Sequence, residues 1–138
     1  MNTDDPRQIL LTISLEANSH NPLVLKAIRE IDLLTFTSVM SQVFKERVRQ
    51  VLKFGVQRLP SDTGKSGWKR TASIVKRRMN ALLKFGHPTW SMVLLEEVYE
   101  ALSEADPERL HEELIQIIAV CANWLETLDT CGTSGAQR

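Results

Sequence analysis

Two short stretches in the last third of the chain hold residues whose type and spacing suit metal chemistry. Glu96-Glu97-Val98-Tyr99-Glu100 and Glu113-Leu114-Ile115-Gln116 each place oxygen-bearing side chains three or four positions apart, on one side of a helix. Their surroundings nearly repeat: Leu94 to Glu100 resembles Leu110 to Gln116, sixteen residues later. At ~100° per residue, Leu94, Val98 and Ala101 form one apolar stripe, with Glu97 and Glu100 along its edge. Leu110, Leu114, Ile117, Cys121, Leu125 and Leu128 form a second stripe, with Glu113 and Gln116 along the corresponding edge. Packing the stripes together sets two carboxylates opposite a carboxylate and an amide.

Three carboxylates in such proximity repel one another unless a cation sits among them. Carboxylate and amide oxygens suit a hard ion, Mg²⁺ or alternatively Mn²⁺, rather than zinc. Incomplete protein coordination leaves positions for phosphate oxygens and water, the requirement for hydrolysing a phosphoanhydride. The expected metal ligands are therefore Glu97, Glu100, Glu113 and Gln116. The plain alternative is a solvated helix surface, since Glu is a good helix former and a single ExxE is common. Two such motifs in register on adjacent helices are more specific.

The elements that must position these residues are helices. Apolar residues recur at helical spacing, never alternate over a strand's length, and no Asn-Gly or Asp-Gly hairpin turn occurs. The expected class is all-α, a helical bundle with its site between two antiparallel C-terminal helices. A segment over Pro6 to Leu15 reads as helical or irregular. Helices are expected over Leu23 to Ile31, with Pro22 in the first turn, and over Thr35 to Phe54 with a terminator at Gly55. In the second of these, Phe36, Val39, Met40, Val43, Phe44, Val48, Val51 and Leu52 share a broad apolar face. Leu59 to Gly67 reads as a loop, followed by a basic helix from Trp68 to Phe85. Thr89 caps a helix to Ser103, and Asp106-Pro107 starts the last one, expected to end near Leu128. A frayed tail is expected from Thr130 onward.

Charge is balanced overall, seventeen basic against seventeen acidic residues, but is unevenly distributed. Lys45 to Gly86 holds twelve Lys/Arg and two acids; His87 to Asp129 holds ten acids and one base. A basic middle and an acidic last third suit cations meeting phosphates beside carboxylates meeting a metal. Lys69, Arg70, Lys76, Arg77, Arg78 and Lys84 are candidate phosphate ligands, with Lys76 and Arg77 preferred. The same segment, Lys65 to Lys84, supports an alternative: a non-enzymatic helical module binding nucleic acid, which the acidic last third disfavours. Gly64-Lys65-Ser66 is no Walker loop, because Leu59 stands where that motif needs glycine. The two cysteines form no CxxC, and no apolar run approaches membrane-spanning length, so a soluble cytoplasmic protein is expected.

At the carboxylate motifs the chain resembles the MazG-like all-α nucleoside triphosphate pyrophosphohydrolases, whose pattern is EExxE on one helix and ExxD on the next. Glu96-Glu97-x-x-Glu100 matches the first half; Glu113-x-x-Gln116 matches the second with Gln for Asp. It is similar in more detail to small bacterial and phage members. The shared stretches are Glu46-Arg47-x-Arg49-Gln50-x-x-Lys53-Phe54-Gly55-x-Gln57, Pro60-x-x-Thr63-Gly64, Thr89-Trp90, and Glu113-Leu114-x-Gln116 with Ala119-Val120 and Trp124. Phe54 replaces the usual Trp.

The resemblance implies a domain over 45–129, a helical extension over 1–44 and a flexible tail over 130–138. It implies cleavage of a ribo- or deoxynucleoside triphosphate to the monophosphate and pyrophosphate, and a homodimer or homotetramer. Glu97, Glu100, Glu113 and Gln116 would ligate Mg²⁺, Glu96 would add a ligand or orient the attacking water, and Lys53, Phe54 and Gln57 would lie near the nucleotide. Some phage members consume dGTP or GTP, which makes a purine preference the first to test.

Overall fold

The computed structural model describes residues 22–31 and 33–134. These residues hold five helices and no strand: α1 Pro22–Glu30, α2 Leu33–Phe54, α3 Ser66–Phe85, α4 Trp90–Ser103 and α5 Pro107–Ser134. The class is all-α, as the spacing of apolar residues predicts. No helix is long and apolar enough to cross a membrane among the described residues. The expected segment over Pro6 to Leu15 lies outside them.

The chain divides between Gln50 and Val51 into two units, and the break falls inside α2. In the first unit Val39 is buried. Phe36, Val43, Phe44 and Val48 are exposed, so the broad apolar face expected on this helix is mostly uncovered. Its polar side is laced locally, with Glu46 accepting from the Arg49 guanidinium at 2.7 Å and from Gln50 at 3.2 Å.

In the second unit α4 is the central helix, packed against α3 and α5. Met79 of α3, Ala101 of α4 and Ala122 of α5 are its buried apolar residues. Trp90 at the start of α4 stacks on Trp124 of α5, ring centroids 6.2 Å apart and 11° from parallel. Trp68 tilts against Tyr99 at 6.4 Å. These contacts join distant parts of the chain across two helix pairs, which fixes the rotation of α4 about its axis.

Several helix boundaries have a local cause. Gly55 adopts φ +70° and donates its N–H to Val51 at 2.8 Å, ending α2 in the left-handed conformation that glycine takes without strain. Thr89 caps α4, its hydroxyl accepting from the Met92 N–H at 3.4 Å. The Asp106 carboxylate accepts from the N–H groups of Glu108 at 2.8 Å and Arg109 at 3.4 Å, and Pro107 takes the first turn of α5. The last helix does not stop near Leu128. It continues to Ser134, with the Thr130 hydroxyl bonded back to the carbonyls of Glu126 and Thr127, so the first part of the expected tail is helical.

The loop before α3 is pinned to the connection between the carboxylate helices. Gly64 donates its N–H to the Leu102 carbonyl at 2.9 Å and has φ +78°. A Cβ there would lie 2.7 Å from Ala105 Cβ and 3.0 Å from Ala105 Cα. Gly64→Ala is therefore expected to cost about 2 kcal/mol, from left-handed strain and the clash, and to lower the melting temperature by roughly 10 °C. Gly67→Ala is the control, since its Cβ meets nothing within 4 Å. A Gly64→Ala protein melting like the Gly67→Ala protein contradicts this account.

Candidate metal centre

Glu97 and Glu100 lie one turn apart on α4, and Glu113 lies on α5 where the two helices pack. Each offers a carboxylate oxygen within 4.8 Å of the others. The juxtaposition follows from the edges the sequence defines, but the packed face of α5 is turned from the expected one. Leu110, Ile117 and Cys121 of the expected stripe are partly covered, but Leu114, Leu125 and Leu128 are exposed, and Glu113, Val120 and Trp124 are partly covered in their place. That rotation carries Glu113 toward α4 rather than leaving it at the rim.

The electrostatics record the crowding. Burial pushes the Glu97 carboxyl above its ordinary range, reinforced by repulsion from Glu100, Glu113 and Glu96. Glu113 is likewise raised, first by burial and then by Glu100, Glu104 and Glu112. Glu97 Oε2 is fully covered and has no hydrogen-bond partner. A buried acceptor without a donor is costly, and a cation is one of the few groups that satisfies a carboxylate oxygen shared among like charges. The donor set, all carboxylate oxygen and partly open to solvent, fits a hard divalent ion.

Gln116 sits beside this group on α5, and its amide nitrogen donates to Glu113 Oε2 at 3.2 Å. The amide thus steadies one carboxylate without adding a fourth negative charge. Glu96 is half-buried and close enough that its charge acts on both Glu97 and Lys76. From α3, the Lys76 ammonium donates to Glu100 Oε1 at 2.8 Å. Glu100, then Glu96 and Glu113, hold the Lys76 ammonium pKa above its usual value.

The other candidates are not joined to the cluster. Arg77, one position along, turns its guanidinium back to the Ser73 carbonyl of its own helix at 3.4 Å. Lys53 and Phe54 are exposed at the end of α2, the ammonium 4.9 Å from the ring centroid, and Gln57 is exposed in the loop that follows. No hydrogen bond or ion pair links these three to the carboxylates among the described residues. The Lys76–Glu100 partnership was not legible beforehand, because twenty-four positions separate the pair and no local pattern selects Lys76 from its basic neighbours. No motif or spacing singles out Glu104 either. It accepts from the N–H groups of Ala105 and Asp106 at 2.8 and 3.0 Å, which holds its pKa down and shapes the turn between the two carboxylate helices.

Comparison of the chain with protein-family models, with curated proteins and with solved structures finds no match in any of the three.

Proposed function

We propose that the chain hydrolyses a nucleoside triphosphate to the monophosphate and pyrophosphate, using a divalent ion held by Glu97, Glu100 and Glu113. The observation that carries this reading is the set of three carboxylate oxygens within 4.8 Å, one carboxylate having a covered and unpartnered oxygen. Such an ion supplies charge neutralisation at the phosphates and an acidified water. The chain's own residues divide the remaining tasks. Glu113 and Gln116 set the α5 side of the ligand cage, Glu96 orients the attacking water, and cations of α3 hold the phosphates. Lys53, Phe54 and Gln57 serve the base and sugar in this reading, and a cytoplasmic nucleotide pool is the natural substrate source. The resemblance of the Glu96–Glu100 and Glu113–Gln116 motifs to those of MazG-like proteins points to the same reaction and makes dGTP and GTP the first nucleotides to test. The deciding experiment is pyrophosphate release from a panel of ribo- and deoxynucleoside triphosphates with Mg²⁺, Mn²⁺ or EDTA. Release that needs the metal supports the assignment; no release from any nucleotide removes it.

Self-association belongs to the same proposal. Leu114, Ile115, Ile118 and Leu125 of α5 are each between about two-fifths and half exposed, on the face adjoining the carboxylate edge. Apolar residues grouped on one side of a helix suit an interface. Ile118→Lys is expected to shift the solution mass from a dimer or tetramer to the monomer, measured by light scattering. A wild-type protein that is monomeric at all concentrations contradicts this part.

The basic helix favours an alternative reading, a non-enzymatic module that binds nucleic acid. No acidic residue occurs in α3, and Lys69, Arg70 and Arg78 are exposed and make no ion pair among the described residues. Such a surface suits a nucleic-acid backbone, whose binding would weaken steeply with salt.

A further inference from the structure

Lys76 differs from every other cation of α3 in reaching the carboxylate cluster. Its Nζ lies 2.8 Å from Glu100 Oε1, and it also feels the charges of Glu96 and Glu113. The side chain is 62% exposed, so the four-carbon stem is not packed and only the ammonium is committed. An exposed pair of this kind is weak in isolation and easily exchanged. The ammonium is a compact charge with three donors on a flexible stem, suited to moving between oxygen partners without any backbone change.

Resting on the reading that the cluster holds a divalent ion, we infer that Lys76 is the cluster's exchangeable counter-ion, transferring from Glu100 to the phosphate oxygens when ion and triphosphate bind. An ammonium and a divalent ion held by the one Glu100 carboxylate repel at that separation, so each weakens the other's hold. The triphosphate brings several negative oxygens to the same edge, where the released ammonium forms charge-assisted bonds. Competition with the ion and attraction for the phosphate have opposite signs, which separates this role from that of a structural ion pair. Arg77, turned onto its own helix, does not share it.

The test measures Mn²⁺ binding by electron paramagnetic resonance, then inorganic tripolyphosphate binding to the Mn²⁺-loaded protein by calorimetry. The proteins are the full chain, Lys76→Met, Lys76→Arg and Glu100→Gln. Lys76→Met is expected to bind Mn²⁺ about fivefold tighter, because a nearby like charge is gone. It is expected to bind tripolyphosphate about tenfold more weakly, because a charged donor is lost. Lys76→Arg should behave like the wild type in both. The exposed Lys76 stem predicts that both Lys76 variants stay folded, with little change in melting. Unchanged or weaker Mn²⁺ binding by Lys76→Met, beside a wild type that binds Mn²⁺ and a Glu100→Gln protein that does not, overturns the inference and leaves the metal site standing. A wild type that binds no Mn²⁺ removes the site and the inference together.

Discussion

Glu97→Gln is expected to reduce pyrophosphate release by at least about a hundredfold, keep the helical content, and raise the melting temperature of EDTA-treated protein. The two effects have one cause. Glu97 carries a covered oxygen without a donor, and its ionised form is opposed first by burial and then by Glu100, Glu113 and Glu96. Glutamine keeps the shape and removes the charge. With the divalent ion chelated, the variant escapes the cost of a partly buried, repelled carboxylate, a gain of about 1 kcal/mol or several degrees in a unit of this size. With the ion present, the cage loses a negative ligand and the site loses affinity.

A simple folding defect lowers activity and stability together, so a rise in one with a fall in the other is diagnostic. Glu108→Gln is the control: its side chain is exposed at the start of α5 and is not among the charges that raise Glu97 or Glu113, so activity should not change and melting should change little. Circular dichroism and the pyrophosphate assay on the same preparations decide the matter. A Glu97→Gln protein within about tenfold of wild-type activity removes Glu97 from the ligand set.

What the residues disclosed in advance was mainly local. Thr89 and Asp106-Pro107 mark helix starts through side-chain acceptors and a fixed φ, and Gly55 marks an end through its positive φ; these act within a few positions and are readable from spacing. The pairing of the edges that carry Glu97, Glu100 and Glu113 was legible for the same reason, since a short connection between two amphipathic helices leaves little choice of neighbour. The rotation of α5 was not. Leu114 and Ile117 fit the stripe equally by hydropathy, and which is covered depends on packing such as the Trp90–Trp124 stack. Helix α2 shows the same limit, since its apolar periodicity predicts a helix but not that most of that face stays exposed. The contacts of Gly64 with Leu102 and of Lys76 with Glu100 join residues far apart in sequence, where no period or cap signal operates.

Divalent ions are expected to raise the melting temperature, and the increase should grow as pH rises from about 5 to 8. The sign follows from two raised carboxyls. Glu97 and Glu113 hold their protons to higher pH in the folded chain than the ordinary value of 4.5. Between 4.5 and those raised values the folded chain binds more protons than the unfolded one, so their contribution to stability falls as pH rises, then levels off once both are ionised. Glu46 and Glu104 have lowered values and act in the opposite sense, losing their stabilisation as pH falls below 4.5, so the two effects occupy separate ranges. An ion bound by the cluster competes with protons for the same oxygens. Toward the acid end it must displace them and stabilises less; toward the alkaline end it meets ionised ligands and relieves their repulsion. At a concentration one hundred times its dissociation constant, binding adds about 2.7 kcal/mol, or roughly 10 °C for a unit of this size. Differential scanning calorimetry with Mg²⁺ or EDTA at the two pH values measures the difference directly. An increment that is equal at both pH values, or that persists in the Glu97→Gln protein, places the ion elsewhere, because carboxylates with raised values bind the ion in competition with protons and Glu97 supplies the covered oxygen.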